Sequence, residues 1–482
     1  MKRQGENCEG RSENSGLKRS RLFNEGDRGK GTQIEVRAQN KRQGARPLAT
    51  PLVDLSLRAL AENAEGIVSL ELIPDWLKER LTILLCHMRK MDVHMLNLLV
   101  KPCPTVIRVK NCSWLTETQF RQTFGNFDSR SLRVLQLDLC GQCMLDLVLT
   151  DTLARSLNSL PNLAIGSLRG ACSLSDSGLK ALVMSAPALL SINLGHCTLL
   201  TCAAIRFISY SLGSKLRELY IDGCQNIDAM LILPALRKFE HLEVLSVAGI
   251  STVSDQFISE VIRVCGRGIK ELDLANCPEL TDRSLKIIGS TCADLRSLNI
   301  SNLHNLTDLG IEYLTNCCRS IQKLNLCNNG FSDEAIAAFL KTSGGSLMEL
   351  VLKKVRKALN SLYYAACKFM LISPPTACDL TGRPNAAFSL TEYSRKLLSL
   401  DISWCRRITN EELKSIVGFC SLLKVLKIYG CSQISDEILN GDSNPFVRIL
   451  GLELDPLFEP LSLNEPKEVF LRYSPLPVSP EY

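Results

Sequence analysis

The chain has 482 residues, 45% of them hydrophobic and 22% charged, which is enough apolar material for a large core and unlike a disordered chain. Residues 1–46 carry 12 Lys+Arg against 6 Asp+Glu and the remainder carries 44 of each, so the net charge of +6 belongs to the N-terminus. A neutral body argues against a domain that grips duplex nucleic acid through its phosphates. No apolar run approaches the ~18 residues of a membrane span, and "MKRQGENCEG" lacks the apolar core of a secretory signal, so a reducing intracellular location is expected.

Residues 1–49 are rich in Gly, Ser, Asn, Arg and Lys and are expected to form a disordered basic tail. Within it "LKRSR" (Lys18, Arg19, Arg21) and "KRQGAR" (Lys41, Arg42, Arg46) are basic clusters of the kind nuclear import receptors read. The expected location is therefore the nucleus, with a merely solvating tail and a cytoplasmic protein as the alternative.

Residues 50–103 place apolar side chains at Trp76, Leu77, Leu81, Leu84 and Leu85 and again at Met95, Leu96 and Leu99, which predicts two or three helices. They can act as a cap over the first layer of the chain's main body or as a docking element for a partner.

From residue 104 to about 455 one pattern, L-x-x-L-x-L-x-x-C, recurs. It starts at Pro104, Leu132, Leu163, Leu189, Leu216, Leu242, Ile269, Leu295, Ile321, Leu347, Leu397, Leu423 and Ile449, with spacings of only 26 or 27 between Leu163 and Leu347. A fixed period of this length with this pattern is the signature of leucine-rich repeats. In "IKELDLANCPELTDRSLKII" (269–288) Leu272 and Leu274 fall on one side of a short strand and Glu271, Asp273 and Ala275 on the other. Cys277 then turns inward, Thr281 caps a helix, Asp282 suits its dipole and Leu280 staples against Leu285. No unit can bury its apolar side alone, so the units are expected to stack into an α/β solenoid with a curved parallel sheet inside and helices outside.

Thirteen of the 21 cysteines follow this period. Cys112, Cys140, Cys197, Cys224, Cys277, Cys405 and Cys431 take the inward position after the strand, Cys172 lies one residue beyond it, and Cys265, Cys292, Cys317, Cys318 and Cys420 fall at helix ends. They read as packing residues. "CGQC" (Cys140, Cys143) has no second CxxC at zinc spacing, and His87, His94, His196, His241 and His304 form no ligand or catalytic motif, so neither a metal, a cofactor nor an enzyme is expected.

The strand positions on the solvent side put Arg108 and Lys110 at one end, Lys323, Lys353 and Lys427 toward the other, and Glu218, Tyr220, Asp222, Glu271 and Asp273 in the middle. An acidic centre repels a phosphate backbone, so a protein is the expected occupant, with Tyr220, Trp404 and Tyr429 as aromatic anchors. The step from Leu347 to Leu397 is 50 residues, which predicts a looped-out insertion at about 358–386, the kind of segment a retained intron would leave. Residues 456–482 form a Pro-rich extension.

"LDLANCPELTDRSL" and "LDISWCRRITNEEL" resemble the cysteine-containing repeats of F-box/leucine-rich-repeat proteins. Together "IPDWLKERLTILLC", "LNLLVKPCPTVIRVKNCSWLTETQF", "LRELYIDGCQNIDAMLILPAL" and "LEVLSVAGI" resemble more narrowly the plant branch of the RAD-seven family of DNA-repair proteins, over about residues 50–455. That resemblance implies a substrate-recognition subunit of a cullin-type ubiquitin ligase in nucleotide-excision repair, whose partners are a ligase adaptor, a client protein and a helicase-like repair ATPase. "LIPDWLKERLTILLCHMRK" keeps only the opening of an F-box, which leaves a Skp-type and an elongin-type adaptor both open. Trp76, Leu81 and Leu84 are the expected adaptor contacts. The alternative is a repeat scaffold with no ligase.

Overall fold

The computed structural model describes residues 52–101, 103–141, 143–354, 386–405, 408–431, 433–434 and 447–451. The tail with Lys18, Arg19, Arg21, Lys41 and Arg42, nearly all of the expected insertion and the whole 456–482 extension lie outside these residues.

Each repeat begins with a three- or four-residue strand. The strands are β1 (Val106–Val109), β2 (Val134–Leu137), β3 (Ile165–Ser167), β4 (Ser191–Asn193), β5 (Glu218–Tyr220), β6 (Val244–Ser246), β7 (Glu271–Asp273), β8 (Ser297–Asn299), β9 (Lys323–Asn325), β10 (Glu349–Val351), β11 (Ser399–Asp401), β12 (Val425–Lys427) and β13 (Arg448–Leu450). They form one open parallel sheet in strict chain order. The second position of the pattern, usually leucine, is in register from one unit to the next, as Leu245 with Leu272 and Leu272 with Leu298. These leucines and the inward cysteines are buried in one continuous core. Each fully buried leucine contributes on the order of 1.5–3 kcal/mol.

One position departs from the sequence expectation. Ile449 pairs with Leu426, the second leucine of its unit, so the last repeat starts three residues earlier than the pattern predicts. β10 and β11 are direct neighbours with Leu350 opposite Leu400, and the helix between them is Ala386–Tyr393.

After each strand from β2 to β12 comes a residue with left-handed backbone. It is Leu139, Gly170, His196, Gly223, Gly249, Asn276, Asn302, Asn328, Lys354, Trp404 and Gly430 in successive repeats, with φ between 56° and 76°. Glycine and asparagine reach this region at least cost, and here Asn276, Asn302 and Asn328 also link neighbouring repeats through amide hydrogen bonds of 2.8 Å.

Before the repeats stand α1 (Leu52–Glu62), α2 (Asp75–His87) and α3 (Val93–Leu99). α2 lies along the free edge of the sheet: Asp75 accepts a hydrogen bond from Thr105, and Glu79 pairs with Arg108 on β1 at 2.9 Å. A parallel edge strand left bare offers unpaired backbone groups, and α2 covers this one.

Candidate partner-binding face

The sheet side away from the core is built from three columns of residues. The first contains Ser191, Glu218, Val244, Glu271 and Lys323; the second contains Asn193, Tyr220, Ser246, Asp273, Asn299, Asn325, Asp401 and Lys427. The third, just beyond the strands, contains Asp138, Arg169, Asp222, Lys353 and Tyr429.

Sequence alternation predicts that the central residues of these columns face solvent. The structure corrects this: Glu218, Tyr220, Glu271 and Asp273 are buried and Asp222 is half-buried. Parallel strands stand ~4.8 Å apart, so side chains in one column lie against those of the next repeat. Ser191 Oγ donates to Glu218 Oε2 at 2.6 Å, the Tyr220 hydroxyl donates to the same oxygen at 3.4 Å, and Ser246 donates to Asp222. Tyr220 packs on Val244 and Ile165 as a small apolar cluster on this side of the sheet.

Asp273 has a local task as well. Its Oδ1 accepts the backbone N–H of Ala275 at 3.0 Å, and Asn193, Asn299, Asn325 and Asp401 do the same for Gly195, Ser301, Cys327 and Ser403 at 3.0–3.2 Å. Asn and Asp in the second column therefore close five of these strands with an Asx turn, a role that asparagine and aspartate share. The sequence carried this signal in the Asn/Asp recurrence at one repeat position.

The acidic centre is partly balanced by Arg169, which the strand pattern alone did not nominate. Burial raises the Asp138 and Asp222 carboxyls above the usual carboxylate range, and the Arg169 charge works against that rise in both. Burial pushes Asp273 up to about 7, with the Asp222 charge adding to it. Burial and then Arg169 lower the basicity of His196, whose ring lies over Gly223, where a Cβ would meet Nδ1 at 2.5 Å.

Toward the C-terminal end the character changes. Trp404 is 43% and Tyr429 46% exposed, and Lys353, Lys354 and Lys427 surround them. Lys354 Nζ stands 5.7 Å from the Trp404 ring centroid.

At the other end the cap separates its three nominated residues. Leu81 and Leu84 belong to the core and touch no solvent-facing surface, because they are the inner side of α2. Trp76, on the outer side, is exposed. Leu52, Val53, Leu55, Leu60, Val68 and Leu72 are exposed too.

The cysteines divide as the period predicts. Cys197, Cys224, Cys277, Cys405 and Cys431 are buried and donate to backbone carbonyls of the preceding repeat, at 3.2 Å for Cys197 to Leu168 and 3.5 Å for Cys277 to Val247. Burial pushes the Cys224 and Cys277 thiols up to about 12. Cys172, whose inward place Ala171 takes, is exposed.

Among the described residues, a thirteen-stranded parallel sheet with a helix after each of β1 to β11, most of them capped, and inward cysteines defines a leucine-rich-repeat solenoid protein. Residues 393–417 match the family model described as "Leucine Rich repeat". A curated relative, Antagonist of mitotic exit network protein 1 of Eremothecium gossypii, is 30% identical over 139 residues, which are 29% of this chain and 29% of that protein, so the match spans under a third of the relative's length. Among solved structures the chain is similar to one titled "Crystal structure of Rad7 and Elc1 complex in yeast", with 15% identity, 86% of this chain and 97% of that chain covered, and a TM-score of 0.49. It is also similar to a TLR13–ssRNA13 complex, with 15% identity, 70% and 51% covered, and a TM-score of 0.33.

Proposed function

We propose that the chain is a non-catalytic substrate-recognition subunit of a cullin-type ubiquitin ligase, acting in the nucleus in nucleotide-excision repair. The solenoid side presents the client-binding face and residues 52–99 dock the ligase adaptor. The observation that carries this reading is the two-sidedness of the cap. Leu57, Leu81, Leu84, Leu85, Met95 and Leu96 are buried in the core that continues into the repeats, which is all a cap requires, yet Leu52, Val53, Leu55, Leu60, Val68, Leu72 and Trp76 remain exposed within 25 residues of chain. Large apolar side chains gathered in a short polar-rimmed segment mark a protein interface. The resemblance of "IPDWLKERLTILLC" to the RAD-seven family supplies the class of partner, and the basic clusters at Lys18, Arg19, Arg21, Lys41 and Arg42 supply the route to the nucleus.

The full chain carrying both Leu72→Glu and Trp76→Glu tests the adaptor reading. It should fold with unchanged melting temperature and lose capture of a cullin with its elongin-type or Skp-type adaptor from purified components. Undiminished capture by this variant removes the cap from the interface.

A further inference from the structure

We infer that Lys353, Lys354, Trp404 and Tyr429 form a recognition site for an acidic peptide segment, an assignment that rests on the reading of this face as the client surface and names the chemistry it selects. The backbone supplies the first observation. At the left-handed position of the repeat the fold needs only glycine or asparagine, and most repeats have one. Lys354 (φ 56°) and Trp404 (φ 63°) occupy it in consecutive repeats. A bulky residue there is strained, and whereas Leu139 and His196 are isolated cases, Lys354 and Trp404 put two such residues side by side.

The surroundings of the indole supply the second. A Cβ on Gly430 would meet Trp404 Cε3, Cδ2 and Cζ3 at 2.6, 2.7 and 3.0 Å, so one face of the six-membered ring lies directly on the Gly430 backbone. Lys354 Nζ stands over the ring at 5.7 Å. With one face closed by the Gly430 backbone, Trp404 still stays 43% exposed. Tyr429, whose backbone carbonyl accepts the Trp404 N–H at 2.6 Å, is exposed beside it.

Charge chooses the occupant. Lys354 is exposed and Lys353 half-buried, and neither has an ion pair among the described residues. The nearby acid Asp401 is committed to the N–H of Ser403 at 3.0 Å. The corner is cationic with two exposed aromatic side chains, which suits carboxylates flanking an apolar side chain. Single-stranded nucleic acid, the other polyanion, binds such sites by stacking bases on open aromatic faces, and the Gly430 backbone closes one face of Trp404.

The test uses the full chain and three probes: a fluorescein-labelled peptide of alternating glutamate and leucine, the same peptide with glutamine for glutamate, and a labelled oligothymidylate. Trp404→Gly and Lys354→Asn install the residues other repeats use here, so both variants should keep or raise the melting temperature while weakening the glutamate peptide by about tenfold or more. Its affinity should also fall as NaCl rises from about 50 to about 300 mM. Equal binding of the glutamine peptide, preferential binding of the oligothymidylate, no binding of any probe, or unaltered affinity in both variants would each overturn the assignment. A lowered melting temperature in both variants would also overturn it, by making the two side chains structural. Cullin capture is read at the cap and is untouched by these substitutions, so the two proposals fail separately.

Discussion

The carboxylate of Asp282 accepts two hydrogen bonds from Thr307, one from its backbone N–H at 2.9 Å and one from its hydroxyl at 2.6 Å. Thr307 is the N-cap of the next repeat's helix, so the acid at the start of one helix fixes the start of its neighbour. The same clasp joins Asp146 to Ser175, Asp176 to Thr201 and Asp255 to Thr281. Where Cys202 replaces the acid only the backbone half persists, the N–H of the next N-cap, Asp228, donating to Cys202 Sγ at 3.3 Å. Asp282→Ala should therefore cost about 1–2 kcal/mol in urea unfolding, more than a dipole interaction of ~0.5 kcal/mol would explain, with Asp282→Asn in between.

The clasp also requires a small residue three positions into the following helix. A Cβ on Gly310 would meet Asp282 Oδ1 at 2.5 Å and Leu285 Cδ1 at 2.8 Å. Gly→Ala in a helix ordinarily gains up to ~1 kcal/mol, yet Gly310→Ala should lower the melting temperature. A raised melting temperature would show that the acid can move aside at no cost.

Asp273 makes stability depend on pH. Its folded-state pKa, pushed up to about 7 by burial and then by Asp222, lies above that of an unfolded aspartate near ~3.9, so the folded chain holds more protons between these values. Its contribution is greatest below the unfolded pKa and is lost as pH rises through the folded one. Asp273→Asn, which keeps an oxygen for the Ala275 N–H, should flatten the stability profile between about pH 4 and 7 and add on the order of 1–2 kcal/mol at pH 8. A profile unchanged by the substitution would place the titrating proton elsewhere.

Leu81 and Trp76 sit on opposite sides of α2. Leu81→Glu buries a charge in the core over the first repeat and should destabilise by about 3–5 kcal/mol, whereas Trp76→Glu should stay within about 0.5 kcal/mol of the parent. Equal losses in chemical denaturation would mean that α2 is not seated as described.

Thiol chemistry should separate the cysteines by position. Burial pushes Cys224, Cys277 and Cys292 up to about 12, while the exposed Cys103 is raised by its hydrogen bond to the Asp128 carboxylate. Among the described cysteines, Cys172 should be alkylated first in the native chain at pH 8 and the inward column only after unfolding, as peptide mapping would record. Early labelling of Cys277 would contradict its packing.

The sequence determined whatever one repeat can specify within itself. The period places Leu272 and Cys277 inside, Thr281 at a helix cap and Leu280 against Leu285, because strand alternation, capping and inward turns are set by residues a few positions apart. It also placed helices where α2 and α3 are. Tertiary structure decided what depends on the neighbouring repeat, roughly 26 residues away along the chain: that Asp282 binds Thr307 and Asp273 lies against Asn299, that Ile449 pairs with Leu426, and that Trp404 rests on Gly430. It decided as well which side of α2 faces the first repeat, burying Leu81 and Leu84 and leaving Trp76 outside. Burial and hydrogen bonding across repeats are lateral contacts between distant residues, and a local pattern carries no record of which residue stands opposite.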